Sequence, residues 1–207
     1  MTTSGRIELM APAGNFESLQ AALDNGCDSI YFGVEQLNMR ARATVNFVLD
    51  DLPEIARRCN EKNVRTYLTL NTIIYDHDLS IVKTLLTKAK EAGITAVIAS
   101  DQAVIMTART IGMEVHISTQ LNVTNIETVK FYAMFADTIV LSRELSLRQV
   151  KKITEDIEKE QVKGPSGNLV EIEIFGHGAL CMAVSGKCYL SLHSHNSSAN
   201  RGACKQN

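Results

Sequence analysis

The 207-residue sequence predicts an α/β fold, an incomplete (β/α)8 TIM-like barrel of about seven parallel strands followed by an irregular cysteine-rich segment. Three observations lead there. Short apolar runs of strand length alternate with stretches of helical period. The runs are continuous, as expected of parallel strands covered on both faces. Each run ends in polar or small residues. With 45% apolar residues, the chain has enough material for a core.

The elements follow in order. The first run, residues 7–10, leads into Pro12-Ala13-Gly14; the second, 29–32, follows Gly26, placed for a helix C-cap, and ends in Gly33-Val34-Glu35. Asp51 with Glu54 fits a capping box, and the third run, 66–70, stops at Asn71-Thr72. Leu79, Val82, Leu85 or Leu86, and Ala89 form one apolar stripe on a helix that Gly93 terminates. Residues 96–99 end at Ser100-Asp101, and Gly112 closes the next helix. Residues 115–118 lead to Thr119-Gln120, and residues 138–141 to Ser142-Arg143-Glu144. Ser146 with Gln149 makes a second capping box, on a helix striped by Leu147, Val150, Ile153 and Ile157. A polar loop over 159–168 precedes the last run, 170–174, which ends near His177-Gly178. Seven strands thus alternate with six helices. In a barrel, the seven polar ends converge on one mouth. The rival open sheet would announce a nucleotide with a Gly-rich first turn, which Ala11-Pro12-Ala13-Gly14-Asn15 is not.

Charge and composition exclude several functions. Lys and Arg number 21 against 23 acids, a net charge of −2, so RNA recognition would have to rest on a local patch. No apolar run approaches the roughly 18 residues of a membrane span, and the start lacks the pattern of a secretory leader. A cytoplasmic location is expected, where five cysteines serve as thiols or metal ligands before disulfides. The expected division is a barrel over 1–175 and a Cys-rich segment over 176–207. Because no eighth strand follows, the chain is expected to be a fragment of a longer protein, with sheet edges that favour a homo-oligomer.

Residues 176–204, GHGALCMAVSGKCYLSLHSHNSSANRGAC, hold three of the five cysteines, three of the five histidines and no acid. Cys181, Cys188 and Cys204 follow a C-x6-C-x15-C pattern. Three thiolates require a fourth ligand in a structural zinc or iron–sulfur site; His177, His193, His195 or a further cysteine could supply it. The lack of acids, with Lys187, Arg201 and Lys205 nearby, predicts lowered thiol pKa values and also suits a phosphate-rich partner. Cys27 and Cys59 read as core residues. His77 and His116 read as ordinary, and Arg143 with Glu144 as an ion pair on the barrel rim.

Glu173-Ile174-Phe175-Gly176-His177-Gly178-Ala179-Leu180-Cys181, Ser185-Gly186-Lys187-Cys188-Tyr189-Leu190-Ser191 and Asn200-Arg201-Gly202-Ala203-Cys204 resemble the signature of the U32 peptidase family. Residues 8–14 and 140–146 are similar to that family's opening turn and sixth strand end. The likeness is nearest to members involved in tRNA hydroxylation. It implies a 4Fe-4S cluster held by four cysteines, three of them at Cys181, Cys188 and Cys204, with the fourth expected beyond residue 207. It further implies oxygen-independent hydroxylation of a tRNA wobble uridine with prephenate as hydroxyl source. At the mouth, His177, Arg143 and Glu144 are the candidate catalytic residues, and Arg40, Arg42, Asn71, Ser118 and Gln120 the candidate substrate contacts, with the arginines shaped for a carboxylate or phosphate. The family's older name implies a collagenase-like peptidase as the runner-up. The sequence has no HExxH or GxSxG, which leaves only a Cys181–His177 pair for proteolysis. A non-catalytic barrel that binds RNA or a partner is the third reading.

Overall fold

The computed structural model describes residues 7–35, 37–38, 47–178, 181 and 183–205. Seven strands, β1 (Met10–Pro12), β2 (Ser29–Phe32), β3 (Arg65–Leu70), β4 (Ala96–Ala99), β5 (Glu114–Ile117), β6 (Thr138–Val140) and β7 (Glu171–Glu173), form one parallel sheet in sequence order. Six helices alternate with them: α1 (Phe16–Asp24), α2 (Leu52–Glu61), α3 (Leu79–Glu91), α4 (Gln102–Thr110), α5 (Ile126–Ala133) and α6 (Leu147–Glu160). The first apolar run does not pair where expected. Ile7 and Leu9 are exposed; the Leu9 amide donates to the Asp28 carboxylate, its carbonyl accepts from the Asp28 and Ser29 amides, and strand pairing begins at Met10↔Ser29.

The main core lies between the sheet and the helices. Ile30, Leu68, Leu70, Val97, Ala99, Val115, Ile117 and Ile139 meet Leu19, Ile55, Leu86, Val104, Val129 and Ile153 there. The α3 stripe buries Val82, Leu85, Leu86 and Ala89, whereas Leu79 stays exposed. On α6 only Ile153 and Ile157 are buried, while Leu147 faces outward. The α6 capping box forms as read from Ser146 and Gln149, with a further one on α1 between Asn15 and Ser18. The box expected at Asp51 and Glu54 does not form. Asp51 instead accepts from the Val48 amide at 2.8 Å, and Glu54 is held by Arg57 and Arg58. Gly26, Gly93 and Gly112 terminate helices at positive φ, as their placement required.

The other face of the sheet is concave. Neighbouring strands lie about 4.8 Å apart, so side chains two strands away touch only if the sheet curls toward them. The Tyr67 ring on β3 sits 4.5 Å from the His116 ring on β5, and His116 Nδ1 is 4.0 Å from Glu173 Oε2 on β7. Tyr67 Oη donates to Glu8 at 2.9 Å, just before β1. The strands therefore bend into the predicted barrel, seven strands strong among the described residues.

Candidate functional site

The C-terminal ends of the strands form a mouth, and the Cys-rich segment lies across it. Two fastenings hold it there. The first is the turn Val184–Lys187, closed by the Lys187 amide on the Val184 carbonyl at 3.1 Å. Arg143 donates to Ser185 Oγ at 2.5 Å, and Asn122 Nδ2 to the Ser185 carbonyl. Gly186 has φ 70°, and a Cβ there would lie 2.4 Å from the Gln120 carbonyl oxygen, so the turn packs backbone to backbone on the 3-10 turn Thr119–Leu121. The second fastening is the 3-10 turn Ala199–Arg201. Arg201 Nη1 reaches Asp78 Oδ2 and the Ile73 carbonyl, both at 2.6 Å, and its guanidinium lies 4.4 Å from the Tyr75 ring centre. The Ile73 amide donates to the Asn200 carbonyl at 3.0 Å. Asp78 is buried, and the Arg201 hydrogen bond holds its carboxyl below the usual range.

Between these fastenings runs a short helix, α7 (Leu190–His195), where the sequence showed no clear periodicity. It organises the thiols. Asn200 Nδ2 donates to the Cys188 carbonyl at 3.3 Å, and Ser191 binds both sides of Lys205, fixing the backbone beside Cys204. Cys204 lies within electrostatic reach of both Cys188 and Cys181. The expected lowering of their pKa fails at Cys204. Partial burial pushes that thiol up, and the two neighbouring thiols push it the same way, because each anion disfavours the next. Among the described residues, no group of three or more His, Cys, Asp or Glu side chains is arranged around a metal position. The donor set nonetheless suits a soft metal centre: three thiols, two of them exposed, with no acid competing in the segment. A bound cation would reverse their mutual repulsion by compensating each thiolate. Cys27 and Cys59 are core, as read; burial, with some help from Cys27, raises the Cys59 thiol to about 11.

The other predicted site residues separate. Ser118 is buried at the mouth and caps the 3-10 turn through the Gln120 amide at 3.3 Å, while buried Gln120 Oε1 has no partner among the described residues. Asn71 lies half-buried at the end of β3. Arg143 and Glu144 do not form the expected ion pair: Arg143 turns to Ser185, and Glu144 accepts from Ser142, which lowers its pKa. The local hydroxyls satisfy each charge separately. His177 stands exposed past the end of β7, and no hydrogen bond among the described residues orients it toward Cys181. Arg40 and Arg42 lie outside the described residues.

Beneath the mouth, the barrel interior combines a small apolar cluster, Tyr67, Ala96 and Ile98 with Met10 and Tyr31 against it, with buried polar side chains, where such barrels usually stack branched apolar ones. His116 was read as ordinary but is a buried member of this floor. Its Nε2 meets Glu114 Oε1 at 3.1 Å, while its Nδ1 and Glu173 Oε2 have no hydrogen-bond partner among the described residues. The His116 hydrogen bond lowers the Glu114 pKa; burial raises that of Glu173 and lifts Tyr67 to about 12. Alternation in Glu114-Val115-His116-Ile117 and Glu171-Ile172-Glu173 is the sequence signal that could have marked these inward positions.

Residues 14–207 match Peptidase family U32. This chain belongs to peptidase family U32. A Porphyromonas gingivalis protein named collagenase is 57% identical over 199 residues, covering 96% of this chain and 48% of the relative. The tRNA hydroxylation protein P1 of Bacillus subtilis is 32% identical over 202 residues, covering 96% of this chain and 45% of its own. This U32 chain therefore spans about half the length of those curated relatives. A solved U32 peptidase superposes with a TM-score of 0.61 at 15% identity, covering 84% of this chain and 70% of that one, which supports the shared fold. No helix of the described residues is long and apolar enough to cross a membrane.

Proposed function

We propose that this U32 chain is the barrel part of an RNA-modifying protein that hydroxylates a tRNA wobble uridine without oxygen, using prephenate as hydroxyl source and an iron–sulfur cluster. The observation that carries the reading is that Cys181, Cys188 and Cys204 all lie on one segment fastened over the barrel mouth. Those three residues would hold the cluster, with a fourth ligand from elsewhere in the protein. When bound, such a cluster would supply one-electron transfers; exchanging a ring hydrogen for hydroxyl withdraws two electrons from the pyrimidine, and the hydroxyl donor takes up both as its C–O bond is replaced by C–H. The chain's own residues do the rest. The segment screens the mouth from water, Arg143 offers a guanidinium at the rim for a carboxylate, and Ser118 and Gln120 offer hydrogen bonds inside it. Phosphates of the RNA find an acid-free surface in the segment, where Lys187 and Lys205 are exposed.

A second reading is proteolysis, favoured by the 57% identity to a protein named collagenase. Against it stands the single sequence candidate: no hydrogen bond among the described residues orients exposed His177 on Cys181. The two readings separate experimentally. Full-length protein prepared without oxygen should be brown with near-stoichiometric iron, and Cys188→Ala should lose both colour and iron. A deletion strain should lack the hydroxylated wobble uridine and regain it from the wild-type gene but not from the Cys188→Ala gene. Colourless wild-type protein with intact thiols, or unchanged tRNA in the deletion strain, overturns the reading. Gelatin cleavage abolished by Cys181→Ser would support the peptidase.

A further inference from the structure

The floor of the mouth contains a second constellation that the cysteines do not explain. His116 is 4% exposed in its side chain, and Glu114 Oε1 holds its Nε2 at 3.1 Å. Its Nδ1 faces Glu173 Oε2 across 4.0 Å, too far for a hydrogen bond, and both atoms are buried with no other partner among the described residues. Buried polar atoms are seldom left this way, because each costs its desolvation. Two unpaired atoms facing one another across such a gap have a simple complement: one oxygen making bonds of about 2.8 Å to both.

We infer that His116 Nδ1 and Glu173 Oε2 form a binding site for a hydroxyl group of a small molecule, the hydroxyl donating to the histidine and accepting from the carboxyl. The inference rests on the reading of the mouth as a small-molecule site and adds to it which side chains grip the hydroxyl. The proton inventory is consistent. Glu114 is held in its ionised form by His116, which places a proton on Nε2 and leaves Nδ1 as an acceptor, the arrangement a carboxylate imposes on a histidine base. Burial favours the protonated, donating form of Glu173. The remaining charged and titratable groups around the pair are accounted for: Tyr67 lies against the imidazole and donates to Glu8, which also pairs with Arg65. If the bound hydroxyl gives up its proton, the O–H bond breaks, an N–H bond forms at Nδ1, and the imidazolium is neutralised by Glu114 while Glu173 donates to the alkoxide. The position is apt. Glu173 ends β7 and His116 lies two residues before Ser118, one layer below the end of the barrel where substrates bind.

The test uses two probes that differ in one hydroxyl, 4-hydroxyphenylpyruvate and phenylpyruvate, with full-length protein, by calorimetry and by NMR of the histidine ring nitrogens. Wild type should bind the hydroxylated probe about tenfold more tightly, the worth of one well-made hydrogen bond, and only that probe should shift the His116 nitrogens. His116→Gln and Glu173→Gln, each checked for native circular dichroism, should bind phenylpyruvate as wild type does and lose the preference. Equal affinity of the probes for wild type, a preference surviving both substitutions, or no binding of either probe at millimolar concentration overturns the inference. This outcome is independent of the cysteine reading, since a failed hydroxyl site leaves cluster colour and tRNA hydroxylation unchanged.

Discussion

Gly186→Ala should release the Cys-rich segment from the barrel without unfolding the barrel. The added Cβ would sit 2.4 Å from the Gln120 carbonyl oxygen and 3.3 Å from both its carbonyl carbon and Oε1. Carbon and oxygen come to rest at about 3.3 Å, so one backbone must retreat by roughly 0.9 Å. Neither has a flexible end to swing aside, because the oxygen belongs to the 3-10 turn Thr119–Leu121. At φ 70° an alanine also pays about 1–2 kcal/mol for the left-handed conformation, and the overlap adds about 1–3 kcal/mol. Together these oppose docking by about 2–5 kcal/mol. Even the lower figure raises the undocked population about 30-fold. Limited proteolysis of full-length protein, followed by mass spectrometry, should show cleavage within 183–190 accelerated by at least that factor, with fragments from β1–β6 unaffected. Gly167→Ala is the control: its φ is 81° but nothing lies within 4 Å of the new Cβ, so it pays about 1 kcal/mol for conformation alone and leaves the segment docked. Wild-type cleavage rates in Gly186→Ala would refute the close packing on which the argument stands.

Other outcomes follow from the same geometry. Arg201→Met strands the buried Asp78 carboxylate and should cost about 3 kcal/mol in denaturant titrations near pH 7. Because the folded-state pKa of Asp78 lies below its unfolded value, the pair's contribution is present above the unfolded pKa and is lost as pH falls through the folded one; the gap between wild type and variant should therefore narrow below about pH 4. For Glu173 the sign is opposite. Burial raises its pKa, so stability present below the unfolded value is lost as pH rises through the folded value, and Glu173→Gln should gain in Tm on wild type over that rise. Ser146→Ala removes the α6 cap, in which Ser146 and Gln149 each satisfy the other's backbone, and should cost about 1 kcal/mol by thermal melting.

The barrel was legible because its outward-facing strand residues pack under helices and so had to be apolar. The runs that became β2 and β4 were read to their exact ends, and the others were displaced by a residue or a few at the edges, as with Leu9, whose backbone is claimed by Asp28. The thiols were legible as well, since a Gly- and Ser-rich segment offers them little core. What escaped was the inner face. Glu114, His116 and Glu173 alternate with apolar neighbours, and in strands this short a few inward polar residues look like exposure to solvent until curvature turns them toward one another. The separate fates of Arg143 and Glu144 were equally hidden, because their partners Ser185 and Ser142 are chosen by tertiary contact.

Every strand of this sheet pairs with its immediate predecessor in the chain, from Met10↔Ser29 through Val140↔Glu173. Such a ladder can be laid down rung by rung as the polypeptide leaves the ribosome, each new unit finding its template already in place. The surfaces that receive Ser185, Gly186 and Arg201 are finished before those residues are synthesised. The three sulfurs of the segment therefore reach their places only on a completed platform.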